Sequence, residues 1–127
     1  MKVQPRRIVL LVDDHLASRE ALRRLLALCG WDVLEAATIA EGLAQLDPPP
    51  DCIVLDLDLP DGPGEAILRK VRRERLPIRV VVNTAMADSA RLSEVGSMRP
   101  DALLQKPLDS AGLRIICEEM PAEEWLP

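Results

Sequence analysis

The stretch CIVLDLDLPDGPG, residues 52–64, decides how this sequence folds. A short apolar run leads into Asp56, and Asp58 and Asp61 follow in a segment rich in Pro and Gly. An apolar run of this length, closed by turn-forming residues, is typical of a strand buried on both faces. A carboxylate at the end of such a strand leaves three interpretations open: a metal site, a nucleophile for a phosphoryl group, or an acidic loop without chemistry.

The composition limits the class of protein. The chain has 127 residues, of which 48% are hydrophobic, and its formal net charge is −5. This length predicts a single domain with its own core, and the negative charge speaks against a surface that binds nucleic acid. No apolar run approaches the roughly 20 residues that cross a bilayer, and no cleavage-site pattern follows the N-terminus. We therefore expect a cytoplasmic domain without direct contact to nucleic acid or membrane.

The cysteines give no sign of a metal site or of a disulfide framework. Cys29, Cys52 and Cys117 lie far apart and are odd in number, whereas zinc sites use closely spaced pairs. We expect buried, reduced thiols.

Strand-like and helix-like segments alternate along the chain. The predicted strands are residues 8–12, 31–36, 52–55, 78–82 and 102–104, and the predicted helices are 15–29, 38–46, 66–75, 87–95 and 108–120. Gly30 is a stop signal for the first helix, and Thr38 with Glu41 forms a capping box for the second. The alternation predicts an α/β fold in which helices cover both faces of a parallel sheet.

Polar side chains come at the ends of four of the five predicted strands. They are Asp13 and Asp14, Asp56, Thr84 and Lys106. In parallel sheets the carboxyl ends of the strands meet at one edge, where the functional sites of such folds lie. Clustered carboxylates suit Mg²⁺ and can also attack a phosphoryl group, while a lysine and a hydroxyl can bind the phosphoryl oxygens. The combination predicts phosphoryl transfer that depends on a divalent cation.

The sequence resembles the receiver domains of response regulators in two-component signalling. The resemblance rests on VDD at 12–14, LDLDLPDGPG at 55–64, TA at 84–85 and KP at 106–107. It covers residues 6–120 and leaves 121–127 as a tail or linker remnant of a single domain, 1–127. It implies a doubly wound, flavodoxin-like sheet of five parallel strands in the order 2-1-3-4-5, with five helices.

The resemblance also implies a role for each site residue. Asp56 is the phosphoacceptor, and Mg²⁺ (or Mn²⁺) is held by Asp13, Asp14, Asp56 and the backbone carbonyl of Asp58. Thr84, Ala85 and Lys106 bind the phosphoryl group and carry the switch, and the Lys106–Pro107 bond is cis. The side chains of Asp58 and Met86 tune hydrolysis of the acyl phosphate. Asp61 is expected to be a turn residue.

The same resemblance implies the partners. A histidine kinase or a histidine phosphotransfer protein donates the phosphoryl group, and a downstream protein or an output domain outside this sequence receives the signal. The domain is then not a turnover enzyme. One alternative is a phosphohydrolase of the haloacid-dehalogenase type, which also ends an apolar strand in Asp-x-Asp but carries that motif on its first strand. A degenerate receiver that serves only as a docking module is another.

Two features depart from the family pattern. Leu103 stands where most receivers carry an aromatic residue that reorients on activation. Gly96 is expected to end the fourth helix early, and Pro100 removes a backbone donor just before the fifth strand. A homodimer through the fourth helix, fifth strand and fifth helix would therefore use an atypical face.

Overall fold

The computed structural model describes residues 7–118, in which strands and helices alternate. In chain order the elements are β1 (Arg7–Val12), α1 (Leu16–Leu28), β2 (Trp31–Ala36), α2 (Ile39–Leu43), β3 (Cys52–Leu55), β4 (Asp58–Leu59), β5 (Gly62–Pro63), α3 (Glu65–Arg73), β6 (Arg79–Thr84), α4 (Ser89–Ser97), β7 (Ala102–Gln105) and α5 (Ser110–Glu118). The predicted tail and the last two residues of the predicted fifth helix lie outside the described residues. No helix in the described range is long and apolar enough to cross a membrane.

The main sheet confirms the predicted fold. Its five strands are parallel and run in the order β2-β1-β3-β6-β7, so the predicted fourth and fifth strands are β6 and β7. The register aligns the strand ends, since Val12 pairs with Leu55 and Leu55 pairs with Val82. The Pro/Gly-rich loop after β3 adds a feature that the sequence analysis did not predict: β4 and β5 form a small antiparallel hairpin.

Strand residues alternate between two hydrophobic cores, as side chains of a doubly covered sheet must. Leu10, Ile53 and Val80 pack with residues of α2, α3 and α4 on one face. Val9, Leu11, Cys52, Val54 and Val81 pack with Leu26 of α1 and Ile116 of α5 on the other face. Cys52 is buried as expected, but Cys29 is exposed and Cys117 is only partly buried, so the prediction of buried thiols is confirmed for Cys52 alone.

Two local signals at helix ends act as predicted, but the second helix is shorter than expected, since α2 ends at Leu43 and not at residue 46. Gly30, at φ +93°, ends α1, and the Thr38 hydroxyl accepts a hydrogen bond from Glu41 N–H at 3.0 Å to begin α2. The expectation that Gly96 ends the fourth helix is wrong, because α4 continues to Ser97. A glycine inside a helix costs only about 1 kcal/mol, and burial of Val95 holds this turn against the sheet.

Candidate functional site

The backbone ladder of the sheet extends past the strand ends and positions the candidate site. The N–H of Asp56 donates to the carbonyl of Val12 at 2.9 Å, and the N–H of Lys106 donates to the carbonyl of Thr84 at 2.9 Å. Asp13 follows β1 directly in the same way. The side chains at the carboxyl edge are therefore carried by rigid elements.

Lys106 joins two of the acids. Its Nζ lies 2.7 Å from Asp13 Oδ2 and 3.1 Å from Asp56 Oδ2. Asp56 is only 8% exposed, so a cation beside it offsets the cost of burying its charge. Burial alone would lower the pKa of Lys106, but the hydrogen bonds to Asp13 and Asp56 outweigh it and raise that pKa above its usual value. The ammonium group therefore stays charged at neutral pH.

Three carboxylates converge at this edge. Asp13, Asp14 and Asp56 each offer one oxygen, and these oxygens all lie within 4.8 Å of one another. Burial decreases from Asp56 through Asp13 to Asp14, which is exposed, so the cluster opens toward solvent. An all-oxygen donor set of this kind fits a hard divalent cation such as Mg²⁺ or Mn²⁺.

The loop after Asp56 is held against it by a close backbone approach. The N–H of Asp58 donates to Asp56 Oδ1 at 3.3 Å, and the N–H of Gly64 donates to the carbonyl of Leu57 at 2.9 Å. A Cβ atom added at Gly64 would lie 2.2 Å from the carbonyl oxygen of Asp56. Only glycine fits at this position without a shift of the backbone that carries Asp56.

The side chain of Asp58 points away from the acid cluster, toward α4. Its carboxylate is 61% exposed and lies 3.1 Å from Nη1 of Arg91. The same guanidinium binds both carboxylate oxygens of Glu65, at 2.7 and 2.8 Å, and donates to the carbonyl of Leu57 at 2.9 Å. Arg91 therefore ties the first turn of α4 to the loop after Asp56. We refer to Arg91, Glu65 and Asp58 as the Arg91 clamp.

The contacts within the Arg91 clamp shift the pKa values of its members. The hydrogen bonds from Arg91 hold the pKa of Glu65 below its usual value, although burial acts in the opposite direction. The hydrogen bonds to Glu65 raise the pKa of Arg91 further above its usual value. Arg91 and Glu65 were not predicted as site residues, since neither lies in a recognisable motif. Glu65 could have been flagged as an acid at the start of an apolar helical stripe.

The remaining predicted residues surround the end of β6. Thr84 is fully buried at 0% exposure, and its hydroxyl accepts a hydrogen bond from the N–H of Met86 at 3.1 Å. Met86 packs against the core, whereas Ala85 is exposed. Leu103 lies on β7 and is 39% exposed, so it is a surface residue in this conformation.

A groove of about 420 Å³ opens beside Lys106 and Asp13. Its walls are side chains of α1 and the segment after β7, where the Lys106–Pro107 bond is cis. Asn83 contributes to its lining, is 6% exposed, and has an amide oxygen without a hydrogen-bond partner among the described residues. Asn83 was not predicted as a site residue either, although an amide within the apolar run VVVNT is a detectable signal.

Asp61 lies in the turn between β4 and β5 and does more than form that turn. Its carboxylate accepts hydrogen bonds from the N–H groups of Ile39 at 2.8 Å and Ala40 at 3.0 Å. These bonds lower the pKa of Asp61. Asp61 therefore caps the N-terminus of α2 from a distant part of the chain and does not contribute to the acid cluster.

Comparisons with known proteins agree on one family. The sequence profile described as "Response regulator receiver domain" matches residues 9–118. The acid tolerance regulatory protein ActR of Rhizobium meliloti (strain 1021) is 31% identical over 98% of this chain and 65% of ActR. The KDP operon transcriptional regulatory protein KdpE of Escherichia coli (strain K12) is 35% identical over 78% of this chain and 44% of KdpE. The chain therefore spans less than two-thirds of either regulator.

A solved structure gives the same result for the fold. The response regulator receiver domain protein (CheY-like) from Methanospirillum hungatei JF-1 superposes with a TM-score of 0.82 at 26% sequence identity. The match covers 95% of this chain and 97% of that protein.

Proposed function

The chain belongs to the response regulator receiver domain family, and we propose that it accepts a phosphoryl group on Asp56. Receiver domains of this family act in two-component signalling. The observation that carries the proposal is the position of Asp56, which is the most buried of the three clustered acids and lies 3.1 Å from the Lys106 ammonium. A carboxylate fixed beside a permanent cation can bind a phosphoryl group and neutralise part of its charge.

The proposed reaction transfers the phosphoryl group from a phosphohistidine. A carboxylate oxygen of Asp56 attacks phosphorus, the new P–O bond forms, and the P–N bond to the donor imidazole breaks. Lys106 moves from the Asp56 carboxylate to a phosphoryl oxygen. The Thr84 hydroxyl leaves the N–H of Met86 and turns to the phosphoryl group, beside the exposed Ala85.

The acid cluster fits the divalent cation that this reaction uses. Asp13, Asp14 and Asp56, with the backbone carbonyl of Asp58, would hold Mg²⁺ or Mn²⁺. When bound, the cation supplies positive charge that offsets the charge of the phosphoryl oxygens. Asp13 also accepts the N–H of His15 at 2.9 Å, which restrains the carboxylate at the beginning of α1.

The proposed partners follow from the chemistry. The donor is a histidine kinase or a histidine phosphotransfer protein, because the chain needs an external phosphohistidine. Phosphorylation biases a two-state equilibrium through Thr84 and Lys106, with aliphatic repacking around Leu103. The output is a downstream protein or an output domain, and any homodimer uses the face formed by α4, β7 and α5. We infer a cytoplasmic signalling domain, residues 1–127, that does not turn over substrates as an enzyme.

Acetyl phosphate provides a direct test. The chain is incubated with acetyl phosphate and Mg²⁺ and analysed on a phosphate-affinity gel and by intact mass. We expect one added phosphoryl group in wild type and in Glu20→Gln, an exposed acid on α1 that serves as the matched control. Asp56→Asn should show none. No adduct on the wild type would favour the docking-module alternative, and an adduct on Asp56→Asn would show that another residue is the acceptor.

A further inference from the structure

The C-terminal ends of α1 and α5 bring together two cysteines that lie far apart in the sequence. Cys29 is the C-terminal cap of α1, and Cys117 lies in the last turn of α5. Arg7 of β1 donates from Nη2 to the carbonyl of Cys29 at 3.1 Å and from Nη1 to the carbonyl of Cys117 at 3.2 Å. Since a guanidinium is planar and rigid, one side chain fixes the spacing of both backbones.

Arg7 is itself well packed, against the ring of Trp31. The guanidinium carbon of Arg7 lies 4.5 Å from the centre of the Trp31 ring, and Trp31 is 3% exposed. The stacked ring restrains Arg7 and, through it, the two helix ends. The backbones of Cys29 and Cys117 are therefore held in place on a well-packed part of the fold.

The two cysteine side chains are neighbours. Arg7 binds the carbonyls of both residues, and the Cys29 thiol is close enough to Cys117 to raise the pKa of its thiol. A disulfide requires a sulfur–sulfur separation of about 2.05 Å, which neighbouring cysteine side chains reach by rotation. Cys29 is exposed, so an oxidant in solution can reach the pair, whereas Cys52 is buried in the core on the same face of the sheet.

We propose that Cys29 and Cys117 are a redox-active thiol pair that a hydroperoxide converts into an intramolecular disulfide. The Cys29 thiolate attacks the peroxide, the S–O bond forms, the O–O bond breaks, and the leaving hydroxide takes a proton to become water. The Cys117 sulfur then attacks the Cys29 sulfur, the S–S bond forms, and the S–O bond breaks. The departing hydroxide takes the Cys117 proton, so two thiols and one hydrogen peroxide give one disulfide and two waters.

The environments of the two thiols set this order. Burial and the neighbouring Cys29 thiol raise the pKa of the Cys117 thiol to about 12, although the nearby Arg7 charge acts in the opposite direction. A thiol with so high a pKa is a poor first nucleophile toward peroxide. The exposed Cys29 therefore reacts first, and Cys117 resolves the sulfenic acid beside it.

The disulfide would connect the C-terminal ends of α1 and α5, which lie on the same face of the sheet. It would close a long loop and restrict the unfolded chain, so we expect the Tm of the oxidised protein to rise by roughly 5–10 °C. Because α1 also lines the groove beside Asp13 and Lys106, oxidation would fix one wall of that groove.

Peptide mapping tests the pair directly. The reduced chain is treated with stoichiometric hydrogen peroxide, quenched with N-ethylmaleimide, digested, and analysed by mass spectrometry with and without reductant. We expect a linked peptide that contains Cys29 and Cys117 and a rise in Tm, both reversed by dithiothreitol. Cys52→Ala is the matched control and should keep the linked peptide, whereas Cys29→Ser and Cys117→Ser should each lose it together with the Tm shift.

The proposal fails in either of two cases. One is oxidation of Cys29 to sulfinic acid or to an intermolecular dimer without the intramolecular peptide. The other is an equal yield of the linked peptide in 8 M urea, which would show that the fold does not bring the thiols together. Because no phosphoryl chemistry is involved, either result leaves the proposed role of Asp56 untouched.

Discussion

The Arg91 clamp makes a quantitative prediction about stability. Replacing Arg91 with Met keeps most of the aliphatic stem but removes the fork that binds Glu65 at 2.7 and 2.8 Å and the carbonyl of Leu57 at 2.9 Å. Glu65 has a side chain that is only 11% exposed, so it would be left as a nearly buried, unpaired charge. Hydrogen bonds to charged groups contribute about 1.5–3 kcal/mol, and the 61% exposed Asp58 adds about 0.5 kcal/mol or less. We expect Arg91→Met to lower the free energy of unfolding by about 2–3 kcal/mol.

Urea denaturation at pH 7 measures this loss, and double-mutant cycles divide it between the partners. The coupling of Arg91→Met with Glu65→Gln should be about 1.5–2 kcal/mol, whereas the coupling with the matched variant Asp58→Asn should be about 0.5 kcal/mol or less. Arg91→Lys should recover only part of the stability, because an ammonium cannot bind both oxygens in the same plane. Equal couplings for Glu65 and Asp58, or a loss within 0.5 kcal/mol for Arg91→Met, would refute the reasoning.

The clamp also predicts a dependence on pH. Arg91 holds the pKa of Glu65 below its usual value of 4.5, so the unfolded chain binds the proton more readily than the folded one. The stability from this pair is therefore present above about pH 4.5 and is lost as the pH falls through the lowered pKa. The difference between wild type and Glu65→Gln should shrink over that window, and a difference that stays constant would contradict the assignment.

Three further predictions concern single positions. Gly64→Ala should cost about 3 kcal/mol in urea denaturation and slow phosphorylation by acetyl phosphate, since the new Cβ would collide with the backbone of Asp56; wild-type behaviour in both assays would disprove the close approach. Asn83→Leu should raise the free energy of unfolding by about 1–2 kcal/mol, because it removes a buried amide oxygen that has no hydrogen-bond partner in residues 7–118; a loss would mean that the amide is satisfied. Asp61→Asn should lower the urea midpoint at pH 7, and the difference should vanish as the pH falls through the lowered pKa of Asp61; a midpoint unchanged at pH 7 would rule out the cap.

The sheet and its acid cluster could be predicted because their signals are local and periodic. The run 52–55 is apolar on both faces, and the structure buries it completely as β3. Once the sheet is parallel, the positions of Asp13, Asp56 and Lys106 follow from strand ends alone. Predicting these positions does not require knowledge of the hydrogen-bond partner of each side chain.

The Arg91 clamp could not be predicted in this way. Arg91 and Glu65 are 26 positions apart, and each lies in a segment where an exposed charge is the ordinary expectation. The prediction that Gly96 ends the fourth helix was wrong for a related reason. The tendency of glycine to end a helix contributes less than the burial of the neighbouring Val95. Contacts between residues that are distant in sequence depend on how α3 and α4 are placed, which the periodicity of the sequence does not encode.

The arrangement of Lys106 between Asp13 and Asp56 has a consequence for charge balance. Three carboxylates and one ammonium leave two net negative charges in a space where the acid oxygens lie within 4.8 Å of one another. A divalent cation would bring this sum to zero, whereas an incoming phosphoryl group alone would make it more negative. Binding of the cation and binding of the phosphoryl group should therefore each favour the other, and the cluster would respond most strongly when both are present.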